Sequence, residues 1–253
     1  MPKTHARFVA SLVVVCGGFV ACGGGTGSPR GGTGGTTNGT GGAGTGTGGA
    51  STGTGGAGGA GVGFACNAML APNANITEFT DATAQGRWGT APTTFTGGIF
   101  SYSEAGSTFT AAIDLAAHSF RLMGSVMGYA GGGLYFDLCT DASAYSGVRF
   151  TIAGDLGMCA LELQVQTNSD KMVETNGMKG TCSTGCSFPS AKNLQTMITG
   201  AGPQTITVPF SAFTGGAPVA FSNKEVVGLQ WQLTSMTSCS PNVTIDNVVW
   251  VAN

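Results

Sequence analysis

The sequence predicts an all-β domain, an antiparallel β-sandwich, that follows an export signal and a disordered Gly/Thr-rich linker. Three observations carry this expectation. Apolar and polar residues alternate with period 2 in segment after segment of the C-terminal part, no segment holds a helical stripe, and residues 23–63 are almost entirely Gly, Thr and Ala. The expected organisation is a signal over residues 1–21, a tether over 22–63 and the folded domain over 64–253.

The amino terminus begins with the basic residues Lys3 and Arg7 and continues into the apolar run 8–21. That layout is a secretory signal, and the run is shorter than the ~20 apolar residues a membrane span needs. Phe19-Val20-Ala21-Cys22 resembles the bacterial lipobox, in which the cysteine is acylated and becomes the mature first residue. Lipidation of Cys22 is therefore expected, and several acyl chains on one residue anchor a protein stably. Gly23 fits sorting to the outer membrane, so the expected location is the outer membrane or cell surface. The following tract has no aromatic or acidic residue, only Arg30 as a cation and only Val62 as an aliphatic side chain larger than Ala. Such a segment cannot bury enough apolar surface to offset its ordering entropy. As a Gly-rich coil it reaches roughly 35 Å. Matches to G-x-G-x-x-G within it have no strand before them and no helix after them, so they carry no nucleotide-binding expectation.

Within the domain, the clearest strands are residues 147–153, 159–167, 204–210, 226–233 and 242–251, each alternating apolar with polar side chains. Weaker candidates are 107–115, 118–126 and 133–138. Gly, Ser and Pro punctuate the intervals, as turns between antiparallel strands require. Six cysteines remain after the signal: Cys66, Cys139, Cys159, Cys182, Cys186 and Cys239. In an exported chain an even set reads as disulfides. The expected pairs are Cys139 with Cys159, flanking one strand, Cys182 with Cys186 across a turn, and Cys66 with Cys239, tying the domain's ends. Zinc is the alternative for Cys182-x-x-x-Cys186, but a second close pair and a neighbouring His are missing from the sequence.

Charge limits the partners. Of ten Lys and Arg in the chain, three (Lys3, Arg7 and Arg30) precede Phe64, leaving seven against twelve Asp and Glu in the domain. This acidic balance argues against nucleic acid. Ser, Thr, Asn and Gln outnumber the ionic side chains and suit a neutral polar partner.

Several segments occur together in an order that resembles a known family. They are Phe136-Asp137-Leu138, Asp141-Ala-Ser-Ala-Tyr-Ser-Gly-Val-Arg-Phe150, the strand 161–167, Val208-Pro-Phe-Ser-Ala-Phe213, Gly228-Leu-Gln-Trp231 and Ile245-Asp-Asn-Val248. Over residues 76–251 the chain is similar to galactose-binding-like jelly rolls, most of all to carbohydrate-binding modules related to family 11, of the kind found on myxobacterial lipoproteins. The resemblance implies a β-jelly roll whose concave sheet binds glycans. It also implies a structural calcium as the one candidate cofactor. Asp246 matches an acid of the family's terminal Ile-Asp-x-Val segment, and Glu78 and Asp81 flank the position after Phe79 where Thr80 replaces the usual acid.

Strand parity gives the candidate glycan-binding residues. Glu162, Gln164 and Gln166 point away from Leu161, Leu163 and Val165, and Gln230 and Gln232 point away from Leu229, Trp231 and Leu233. Tyr135, Asp137 and Arg149 fall on the outward side of their strands. If these strands share a sheet, one face combines amides, charges and a tyrosine, the mixture that pairs with sugar hydroxyls and stacks on a sugar ring. Trp231 reads as core, and Trp88 and Tyr102 as rim contacts in a loop. The functional expectation is a non-catalytic, carbohydrate-binding surface lipoprotein that meets polysaccharide and touches the membrane only through its lipid. The alternatives are a structural or protein-interaction module of the envelope, or a glycoside hydrolase or its accessory domain. His118 is the domain's one histidine and a nucleophile elbow is missing, while a hydrolase needs two carboxylates facing each other across a cleft.

Overall fold

Period-2 segments become strands because alternate side chains of an extended chain face opposite sides. The computed structural model describes residues 66–89, 95–173 and 180–253. The expected signal, Cys22 and the tether lie outside the described residues. The strands are β1 (Met69–Leu70), β2 (Asn75–Thr77), β3 (Arg87–Trp88), β4 (Gly97–Ser103), β5 (Thr108–Asp114), β6 (Ser119–Asp141), β7 (Tyr145–Asp155), β8 (Ala160–Thr167), β9 (Ser190–Ala191), β10 (Gln204–Pro209), β11 (Val226–Cys239) and β12 (Asn242–Ala252). Two short 3-10 turns, Leu194–Met197 and Phe210–Ala212, are the helical elements among the described residues.

Two layers result. One runs β3-β4-β6-β11-β8-β9 and the other β5-β6-β12-β7-β10, with β2 added to β12. All these pairings are antiparallel, and β1 joins the end of β6 in parallel. The fold is thus the expected antiparallel β-sandwich.

The long strand β6 belongs to both layers. Its first part pairs with β5 and with residues 242–245 of β12, and its second part pairs with β4 and β11. The weak candidates 118–126 and 133–138 are therefore one 23-residue strand. Gly124, near the end of the first part, and Gly128, near the start of the second, have φ of 136° and 76°, values that side chains resist. β11 is irregular opposite Gly128, between Ser235 and Ser238. Such bulges let a strand turn a corner from one sheet into the next.

The core fills the space between the layers. Trp231 from β11 is fully buried, with Phe150 of β7 edge-on at 5.5 Å and Phe120 of β6 at 6.1 Å. A second aromatic group surrounds Trp250, with Phe95, Phe136, Phe210 and Tyr145 between 6.1 and 6.3 Å. Trp88, expected at a loop rim, is 1% exposed, packs on Phe136 and donates its Nε1–H to Gly98 O at 3.0 Å. Each such side chain contributes ~1.5–3 kcal/mol by leaving water.

Two of the three expected disulfides exchange partners. Cys182 pairs with Cys186 as expected, but Cys66 joins Cys139 and Cys159 joins Cys239. The reason is sheet order. β11 lies between β6 and β8 and runs antiparallel to both, so β6 and β8 run the same way. Cys139 near the end of β6 and Cys159 just before β8 therefore sit at opposite ends of the sheet. Cys159 instead meets Cys239 at the end of β11, with Cα atoms 5.4 Å apart.

The Cys159–Cys239 bridge closes 80 residues of sequence. Constraining an unfolded loop of that size is worth ~4.5 kcal/mol on the chain-entropy model. Replacing both cysteines by Ser is expected to lower stability by roughly 2–5 kcal/mol, measured by urea unfolding. Non-reducing peptide maps are expected to link Cys66 with Cys139.

Candidate functional site

The outward side of the β4-β6-β11-β8 layer collects most of the residues expected to bind. Register places them in rows across the strands. Arg87, Gly98, Tyr135, Gly228 and Gln166 form the first, and Phe100, Gly133, Gln230, Gln164 and Ser190 the second. Tyr102, Gly131, Gln232 and Glu162 form the third. Strands are ~4.8 Å apart and successive rows on one face ~6.6 Å apart, so the face presents a regular polar grid.

Glycines on β6 shape this surface. A Cβ at Gly131 would stand 2.4 Å from Tyr102 Oη, and one at Gly133 would stand 2.5 Å from the Phe100 ring. The rings therefore occupy the space that side chains on β6 would fill. Phe100 and Tyr102 lie nearly parallel, 24° between planes and 6.4 Å between centroids, and exposed Tyr129 continues the row 6.3 Å beyond Tyr102. Tyr102 is thus on a strand of the polar face rather than in a loop.

The amides form one connected hydrogen-bond network. Lys171 Nζ donates to Gln166 Oε1 at 3.4 Å, and Gln166 Nε2 donates to Gln230 Oε1 at 2.8 Å. Gln230 Nε2 donates twice at 2.7 Å, to Gln164 Oε1 and to Tyr102 Oη. Tyr102 Oη donates to Gln232 Oε1 at 3.1 Å. Gln164 and Gln232 both donate to Glu162 Oε1, at 2.5 and 2.8 Å. Burial pushes the Tyr102 phenol well above the ordinary tyrosine range, with the Gln230 hydrogen bond opposing and Glu162 adding to the shift. Tyr102 therefore stays a neutral donor. Gln166 and Gln230 are buried, whereas Glu162, Gln164, Gln232 and Tyr135 are half-buried and reach solvent.

A hollow of about 310 Å³ opens at the Glu162 end, walled by Glu162, Gln232, Thr234, Lys192 and Asn193. At the other end Arg87 Nη1 donates to Tyr135 Oη at 2.9 Å and to Asp137 Oδ1 at 3.0 Å, while Nη2 pairs with Asp137 Oδ2. The guanidinium carbon lies 5.6 Å from the Tyr135 ring centre. Asp137 holds the Arg87 guanidinium above its usual range. The face is thus framed by an ion pair at one end and a polar hollow at the other.

Arg149 does not belong to it. On β7 it is opposite Thr207 of β10 and Val249 of β12, in the other layer, and it is exposed on that outer face. Parity identifies outward residues but not the sheet that carries them. Each of the expected calcium ligands has protein partners of its own. Asp81 Oδ1 accepts the Gly89 N–H, and Glu78 Oε1 accepts from Asn75. Asp246 takes both Asn247 donors, and burial raises its pKa with Glu78 nearby. Among the described residues no three His, Cys, Asp or Glu side chains gather as a metal group, and a calcium shell takes six to eight oxygens.

Glu162 and Asp137 are carboxylates of this face among the described residues. By register they stand six residues apart along the strands and two strands apart across them. That separation is about 22 Å, beyond the ~5–9.5 Å of a glycosidase pair.

Sequence reasoning missed Arg87, Phe100, Tyr129, Lys171 and Lys192. The pattern Gly98-Ile-Phe-Ser-Tyr102 does alternate, so Phe100 and Tyr102 carried a usable period-2 signal. Arg87 carried none, because its partner Asp137 lies 50 residues away.

Gly133→Ala is expected to destabilise the domain by ~1–3 kcal/mol in urea unfolding, since the new Cβ would also meet Leu229 O at 2.2 Å and that strand cannot rotate away. The raised Tyr102 pKa means its contribution to stability is complete below the unfolded tyrosine value near 10 and is lost as pH rises through the higher folded value. Tyr102→Phe is expected to remove one phenolate that absorbs only above the ordinary tyrosine range in an ultraviolet titration.

No family model matches the chain, and no curated protein matches it. Among solved structures, the chain is similar to the family 11 carbohydrate-binding module of the cellulosomal cellulase Lic26A-Cel5E of Clostridium thermocellum, at 15% identity and a TM-score of 0.43, covering 61% of this chain and 88% of that one. A family 30 carbohydrate-binding module matches at 13% identity and a TM-score of 0.44, covering 72% of this chain and 99% of the module. The low-affinity xylan-binding module CBM86 of Roseburia intestinalis matches at 12% identity and a TM-score of 0.35, covering 62% and 96%.

Proposed function

We propose that the protein is a non-catalytic lipoprotein that binds a neutral polysaccharide reversibly on the β4-β6-β11-β8 face, held at the bacterial outer membrane by acylated Cys22. The observation that carries this reading is the side-by-side placement of two surfaces on one sheet. Phe100, Tyr102 and Tyr129 form a row of rings, and Gln164, Gln232 and Glu162 form a row of oriented polar groups beside it. A pyranose has an apolar C–H face and a rim of hydroxyls, and it needs both surfaces at once. A merely solvated sheet face needs neither flat rings nor a connected network. The tether of residues 22–63 would let the domain search a volume above the membrane.

The test uses the chain with Cys22→Ala, which remains unacylated, in affinity electrophoresis against a broad panel of neutral polysaccharides. Retardation by at least one of them is expected. Combined Gln164→Ala, Gln166→Ala and Tyr135→Ala substitution is expected to remove it, a loss of about tenfold or more in affinity from several hydrogen bonds worth ~0.5–1.5 kcal/mol each. Arg149→Ala, on the opposite face, is expected to leave retardation unchanged. Absence of retardation across the panel, together with crosslinking to a specific envelope protein, would replace this reading with that of a protein-interaction module.

A further inference from the structure

We infer that Glu162 is a positioning residue that fixes which way every amide of the binding face points, and so sets the donor and acceptor pattern a ligand must match. The recognition half of this inference rests on the glycan reading above. A glutamine side chain can reverse its O and N ends at little steric cost, so a chain of glutamines alone has no preferred direction. Here Gln230, Gln164, Glu162, Gln232 and Tyr102 close into a ring of hydrogen bonds, and an ionised carboxylate can only accept. Glu162 therefore requires the Nε2 ends of Gln164 and Gln232 to face it. Their Oε1 atoms must then accept from Gln230 and Tyr102, which makes Gln230 the double donor. Lys171, which can only donate, imposes the same direction from the far end, but over a longer bond of 3.4 Å. The two contacts at Glu162, 2.5 and 2.8 Å, are the charge-assisted ones and the stronger constraint.

The fixed direction leaves specific groups for a ligand. Gln164 and Gln232 each have one N–H not used in the ring, and Glu162 Oε2 has no hydrogen bond from the described residues. Glu162 and Gln232 line the 310 Å³ hollow, and Gln164 stands one row further along β8. A fitting ligand therefore brings oxygen acceptors to the two amides and a hydroxyl hydrogen to the carboxylate. Adjacent hydroxyls of a neutral sugar do this, because each hydroxyl both donates and accepts. A methyl ether keeps the acceptor and loses the donor.

Two measurements test the inference on the Cys22→Ala chain. Neutron diffraction from deuterated crystals is expected to show a deuteron from Gln164 Nε2 and one from Gln232 Nε2 directed at an unprotonated Glu162. A reversed amide at either position, or a deuteron on Glu162, would overturn the positioning role whatever the protein binds. Glu162→Gln, which keeps shape and can donate, is then expected to leave the thermal midpoint unchanged. It should weaken binding of the retained polysaccharide about tenfold and shrink the preference for native over O-methylated oligosaccharides. Binding and preference that both match the wild type would overturn the recognition role. If the wild type retains no polysaccharide, the glycan reading and the recognition half fall together, and the neutron result alone decides the positioning half.

Discussion

The burial of Trp231 between the two layers is the constraint from which the rest follows. Its ring, wedged against Phe150 and Phe120, fixes which side of β11 faces the core. A strand has side-chain period 2, so a slip of one residue would exchange Leu229, Trp231 and Leu233 for Gln230 and Gln232. Placing the amides in the core would leave buried polar groups unpaired and expose three large apolar side chains. The packing of one tryptophan therefore decides that the amides face outward. Register with β8 then sets Gln230 against Gln164 and Gln232 against Glu162.

The outer face inherits its order from that arrangement. Its amides are held by one another and by a carboxylate rather than by solvent, and the two central ones, Gln166 and Gln230, are buried. In such a setting hydrogen bonds are stronger than in water and partial satisfaction is costly, so the network keeps a single geometry. The glycines at 131 and 133 serve the same end by giving the rings of Tyr102 and Phe100 a place to lie. A rigid face lowers the ordering cost of binding a flexible chain, which is the physical link from packing to the proposed recognition of polysaccharide.

The strands that read most clearly in the sequence are those with one polar and one apolar side, β7, β8, β10, β11 and β12. Less of the signal survived elsewhere. β4 contains two glycines and two serines, so its apolar contrast is weak, although Phe100 and Tyr102 share a side. β6 read as two short pieces because its middle, with Gly124, Gly128 and the run 131–133, lacks the side chains that make alternation visible. Parity also placed seven of the eight proposed ligand-facing residues on the observed face and misassigned Arg149, whose strand is outward-facing in the other layer.

The amino-acid sequence by itself determined the local terms: which segments extend, which side of each is apolar, and that an even set of cysteines pairs. Those properties depend on neighbours within a few residues, where period and composition act directly. Only the tertiary structure decided which strands lie side by side, and with that the exchange of disulfide partners, the pairing of Arg87 with Asp137 and the closed ring around Glu162. Strand order is settled by packing two faces across the whole domain, and contacts of that kind join residues tens of positions apart that carry no mark of one another.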